Sequence, residues 1–184
     1  MDFLMELGHN EIKAEGNNPL ILDTGKIWLV KEGQVDIFVA RISNGEAAGR
    51  RKYLFSVPAG DLLLGTEPVA RGEENYGLLA VGFTGTRILE IDLQSLDVTA
   101  SENIKKLTEL LNKWIENWTG AGINETPQID WNASLEPLIK SITHFNKASF
   151  NHVLEIFMTE QHEEILRNKT KAEKDKAFMS AGLN

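Results

Sequence analysis

Between residues 20 and 92 the apolar positions come in short runs broken by glycine and polar residues; after residue 100 they recur every third or fourth position. The run Ile27-Trp28-Leu29-Val30 is apolar throughout and predicts a strand buried on both faces. Lys31-Glu32-Gly33-Gln34 predicts a tight turn to the next strand, with Gly33 at positive φ. In the strand that follows, Val35, Ile37 and Val39 fall on one face and Asp36 and Phe38 on the other. Residues 43–52, SNGEAAGRRK, read as a polar loop at a hairpin tip. The run YLFSV predicts another strand, Pro58-Ala59-Gly60-Asp61 a sharp turn, and Thr66 to Tyr76 a second loop. The runs LLAVGF and TRILEIDL are expected to pair around Thr84-Gly85. Seven or eight short strands with frequent turns point to a barrel or sandwich.

Residues 101–118 carry the strongest helical pattern. Ile104, Leu107, Leu111, Trp114 and Trp118 recur at spacings of 3, 4, 3 and 4, with Ser101 placed to cap the helix and Gly120 and Gly122 to end it. This stripe has two readings: a lid packed on its own strands, or a short heptad seam in which Leu107, Leu111, Trp114 and Trp118 meet a second copy. Residues 120–132 read as a linker, Ser134 opens a second helix with Pro137 in its first turn, and a third runs from about Ala148 to Arg167. The stretch RNKTKAEKDK, with five basic and two acidic residues, extends that helix and then frays. The expected organisation is a β-roll over 1–100, a lid or interface helix over 101–118 and a helical extension over 119–184, an α+β class of fold.

Composition narrows the function classes. The net charge is −8, with 9 basic and 15 acidic residues in 1–100, which argues against general nucleic-acid binding. There is no cysteine, so disulfides, thiolate chemistry and Cys-based metal sites are excluded. His144, His152 and His162 lack the i,i+4 spacing of a helical metal site, and no phosphate-binding Gly-Lys-Ser/Thr loop occurs. No catalytic constellation, cofactor site or metal site is expected, and the N-terminus does not resemble a secretory signal.

The combination IWLVKEGQVDIFV and VPAGDLLLG resembles the opening strands and glycine corner of cyclic-nucleotide-binding domains. Trp28, Gly33, Asp36, Phe38, Leu54, Phe55, Pro58, Gly60 and Gly65 carry the match, which is similar to the N-terminal region of ABC exporters of nitrile-hydratase-leader-type bacteriocins. The resemblance implies an antiparallel β-roll, a cytoplasmic location at the inner membrane face, and as partners the exporter's ATPase and membrane domains and its leader or cargo peptide. It places a ligand pocket at Gly65, Thr66, Glu67, Arg71 and Tyr76, in degenerate form. Glu67 is displaced by one position, Pro68 removes a donor, Arg71 comes too early, and Asn75-Tyr76-Gly77-Leu78 stands where a phosphate-binding arginine is expected. The implied function is a non-catalytic docking or regulatory domain that does not bind cyclic nucleotides, with a peptide groove at a sheet edge or over Phe38, Phe55 and Phe83. A small-ligand sensor and a dimerisation module remain open alternatives.

Overall fold

The computed structural model describes residues 2–7, 10–14, 18–93, 96, 101–123, 129–131 and 134–181. Its elements in chain order are α1 (Asp2–Leu7), β1 (Asn10–Lys13), β2 (Leu20–Leu22), β3 (Lys26–Glu32), β4 (Gln34–Ser43), β5 (Glu46–Pro58), β6 (Leu62–Leu64), β7 (Val69–Arg71), β8 (Glu74–Gly82), β9 (Arg87–Asp92), α2 (Ser101–Gly120) and α3 (Leu135–Ala181).

Two antiparallel sheets face each other, ordered β1-β9-β3-β6 and β2-β8-β4-β5, with β7 joining the second sheet along β8. Only β4–β5 and β7–β8 are hairpins; the other consecutive strands lie in different sheets. This makes the β-roll expected from the sequence, but by corners rather than hairpins. The corner between β3 and β4 is Gly33, at φ +82°, packed so closely on Thr86 that a Cβ would meet its hydroxyl at 2.6 Å. Strands β3 and β4 therefore do not pair. The runs LLAVGF and TRILEIDL do not pair either: β8 bonds to β4, β2 and β7, and β9 to β3 and β1. A period of two tells which face a side chain takes, not which strand lies alongside.

The polar stretch 43–52 is strand rather than loop. Asn44 (φ 53°) and Gly45 (φ 79°) form the two-residue turn with both central φ positive, and Ser43 opposes Glu46. Between the sheets lie Ile27, Leu29, Val35, Ile37, Val39, Leu78 and Ile91, all at 0% exposure, so the interior is filled by aliphatic side chains. Val35, Ile37 and Val39 share this face as expected.

Helix α2 closes the open side of the roll between β5 and β6. Phe55 from β5 meets Trp114 and Trp118 edge-on, each at 5.4 Å between ring centres. Leu107, Leu111, Trp114 and Trp118 are thus buried within one copy of the chain. The helix stops in a Schellman motif: Ile123 N–H donates to Trp118 and Gly122 N–H to Thr119, with Gly122 at φ +90°. The two helices expected after residue 134 are one, α3, 47 residues long. No glycine or proline falls between Leu138 and Ala181, and Pro137 sits in the first turn, where its missing N–H costs nothing.

Candidate functional site

The strip running from the end of β6 through β7 into β8 lies against α3, and the side chains of Glu67, Arg71 and Tyr76 each meet a side chain of that helix. The strip starts where chain meets chain. Gly65 abuts the Leu22–Asp23 backbone so tightly that a Cβ would overlap the Asp23 carbonyl. Thr66 is 2% exposed, and its N–H donates to the Leu22 carbonyl at 3.2 Å. Glu67 pairs with Lys147 of α3 at 3.1 Å. Arg71 pairs with Glu155 of α3 at 2.6 Å. Tyr76 is 2% exposed and meets Phe157 of α3 edge-on, with ring centres 6.3 Å apart.

The centre of this interface is Asn146 on α3, which is fully buried. Its Nδ2 donates to the Gly65 carbonyl at 2.6 Å and to the Leu64 carbonyl at 3.4 Å. Its Oδ1 accepts from Trp114 Nε1 at 3.1 Å and from Trp118 Nε1 at 2.9 Å. The amide orientation is fixed by its partners, since an indole can only donate and a carbonyl only accept. One side chain thus ties α3, α2 and the start of the strip together. Sequence reasoning missed it. The available signal was position: Asn146 lies four residues after Ile142 and four before Phe150, in the middle of a buried stripe where a polar residue needs partners. Ser149, on the same face of α3, is also fully buried, and its hydroxyl has no hydrogen-bond partner.

At the far end of the strip Tyr76 donates to Glu74 at 2.6 Å, and Arg41 donates to the other oxygen of that carboxylate at 2.5 Å. The hydrogen bond from Tyr76, and then the one from Arg41, holds the Glu74 carboxyl below its ordinary range. Burial, reinforced by the bond to Glu74, pushes the Tyr76 phenol up to about 12. Because the folded phenol holds its proton more tightly than the unfolded one, this stabilisation is complete below pH 10 and disappears as pH rises towards 12. In a Tyr53→Phe background the remaining tyrosine should ionise near pH 12 when followed by ultraviolet absorbance. Ionisation near pH 10 in the folded protein would contradict the buried geometry.

The expected mouth of Phe38, Phe55 and Phe83 does not form. Phe55 points between the sheets at α2, whereas Phe38 alternates to the opposite face and packs edge-on against Tyr53 at 5.8 Å. Phe83 stands at the β8–β9 corner, 56% exposed. Among the described residues no group of three His, Asp or Glu side chains is placed to hold a metal ion, and no helix is long and apolar enough to cross a membrane.

No family model matches the chain, and no curated protein matches it. The chain is similar in fold to several solved structures. Oxidized CprK in complex with o-chlorophenolacetic acid has a TM-score of 0.44 at 15% identity, over 65% of this chain and 50% of that one. The c-di-GMP responsive global regulator CLP of Xanthomonas campestris has 0.47 at 12%, over 66% and 59%. A CooA mutant from Carboxydothermus hydrogenoformans has 0.40 at 14%, over 68% and 80%. The match thus spans about half the length of the CprK chain. These likenesses concern the fold alone, and they lend no support to the resemblance to exporters.

Proposed function

We propose that this chain is a non-catalytic regulatory domain in which the strip from Gly65 to Tyr76 senses a small ligand and α3 transmits its presence. The observation that carries this reading is the coupling itself: Gly65, Glu67, Arg71 and Tyr76 each contact α3 through a named side chain. A molecule entering beneath the helix must displace those contacts, so binding and helix position are linked. The unpartnered Ser149 hydroxyl supports a ligand with at least one polar atom. A cyclic nucleotide is a poor candidate, because Arg71 is already held by Glu155 and would have to leave it to meet a phosphate.

The coupling is tested by Arg71→Glu. Hydrogen exchange is expected to quicken along α3 between residues 150 and 160, while global stability to urea falls by less than about 1 kcal/mol, as for an exposed ion pair. Unchanged exchange along α3 would mean that the helix does not sense the strip. Calorimetric titration with cyclic AMP and cyclic GMP is expected to give no saturable heat; clear binding would keep the sensor and overturn the ligand class.

The exporter docking role is a second reading, favoured by one feature. From Ile165 (65% exposed) and Leu166 (50% exposed) to Lys176, every residue of α3 is exposed, Arg167, Lys169, Lys171, Lys174 and Lys176 among them. That combination of apolar and basic surface suits a membrane-proximal partner.

A further inference from the structure

The fixed and loosely held parts of α3 meet at one point. Through Phe157 the helix is anchored by buried side chains: Leu138, Ile142, Phe145, Phe150, Val153 and Leu154. Beyond the half-buried Met158, no residue of α3 up to Lys176 is buried. Two ion pairs hold this stretch to the roll: Lys52 with Glu160 at 2.6 Å, and Arg50 with Glu164.

The spacing of the two pairs is matched. Glu160 and Glu164 are one helical turn apart, about 6 Å along the axis. Arg50, in the bulge of β5, and Lys52 are two residues apart, at most about 6.8 Å along the strand. A helix lying along this strand therefore presents both carboxylates to both cations in register. Glu163 faces away and pairs with Arg167 on the helix itself at 3.6 Å, and Arg51 is exposed between the two bonded cations.

We infer that α3 beyond Met158 is an electrostatic strap over the β4–β5 hairpin, which closes and opens about the Phe157–Met158 turn while the proximal half of α3 stays docked. Exposed pairs of this kind are weak and screened by salt, whereas burial of the proximal half is not. Opening frees Arg50 and Lys52, beside the already exposed Arg51, for competing anions. Neither ion pair involves residues 65–76, so the strap stands whether or not the strip binds a ligand, although Phe157 at its hinge also meets Tyr76.

The absence of native cysteine allows two nitroxide pairs to report on the full chain. One pair, Glu46→Cys with His162→Cys, spans hairpin and strap. The other, Glu46→Cys with Ile156→Cys, spans hairpin and anchored half. Between about 20 mM and about 1 M NaCl, where the screening length falls to about 3 Å, the first distance distribution is expected to broaden and lengthen while the second stays narrow. Glu160→Lys with Glu164→Lys should open the strap at low salt. Adding Arg50→Glu and Lys52→Glu to that variant should close it again. A first distance indifferent to salt and to charge reversal overturns the strap, as does joint lengthening of both pairs, which would mean that the whole helix undocks.

Discussion

Asn146→Leu is expected to remove about 3–5 kcal/mol of folding stability, since burial leaves two indole N–H groups and the Gly65 carbonyl unpaired at about 1–3 kcal/mol each, while the Leu64 carbonyl loses a longer bond of 3.4 Å. Leucine branches as asparagine does and is the bulkier of the two, so the loss is one of hydrogen bonding and fit rather than of a cavity. The four bonds of the amide end on two other segments: Trp114 and Trp118 on α2, and the carbonyls of Leu64, the last residue of β6, and of Gly65 just after it. A single-domain protein has only about 5–15 kcal/mol in total, so the variant should unfold at a much lower urea concentration. Near-ultraviolet circular dichroism of the two tryptophans should weaken even where the protein remains folded. A loss below about 1 kcal/mol would show that the leucine is accommodated and that the hub is not a principal tie between α2, α3 and the roll.

Gly65→Ala should be nearly as damaging, at about 3 kcal/mol or more, because it forces two backbones apart. The new methyl would overlap the carbonyl of Asp23 and the carbonyl carbon of Leu22, and neither can turn aside as a flexible side chain would. The natural comparison is Gly45→Ala at the tip of the β4–β5 hairpin. There the methyl meets nothing within 4 Å, and the cost comes only from a positive φ. That strain is worth about 1–2 kcal/mol. If urea unfolding ranks Gly45→Ala as the costlier substitution, close approach at the strip is not what Gly65 provides.

Much of this architecture could be read from the chain, and the failures have a common cause. The alternation of Val35, Ile37 and Val39 gave the inner face of β4, and the glycines at 33, 60 and 85 marked corners that the structure places at φ +82°, +94° and +86°. The stripe of α2 was legible because five large apolar residues keep helical spacing. Partners were not legible. Gly33 joins two strands that lie in different sheets, yet a hairpin and a corner of the roll need the same positive φ. The Asn44-Gly45 turn was in plain view but was absorbed into a polar run, because Gly49 and Arg50 interrupt the alternation at a bulge between the Ala40–Arg51 and Arg41–Ala48 pairs. At the site, Gly65, Glu67, Arg71 and Tyr76 stood out as residues, but their contacts lie about eighty positions away on α3. Sequence spacing cannot report on such distant pairs. Asn146 was hidden for the opposite reason: alone among apolar neighbours, it looked like an interruption rather than a centre.

The strand order also fixes when the molecule can assemble. Among the described residues β2 takes its place in the sheet by pairing with Leu78–Ala80, and β1 by pairing with Arg87–Glu90. On a ribosome, β2 must therefore wait for about sixty further residues and β1 for about eighty, about 3–16 s at ordinary elongation rates. Meanwhile the β4–β5 hairpin, closed by its own two-residue turn, can form almost as it emerges. The oldest part of the chain is thus among the last to find its place, and Leu20, Ile21 and Leu22 spend that interval without the strand that will cover them. Translation speed, rather than the final stability of the roll, then governs how long a newborn chain is vulnerable to wrong pairing.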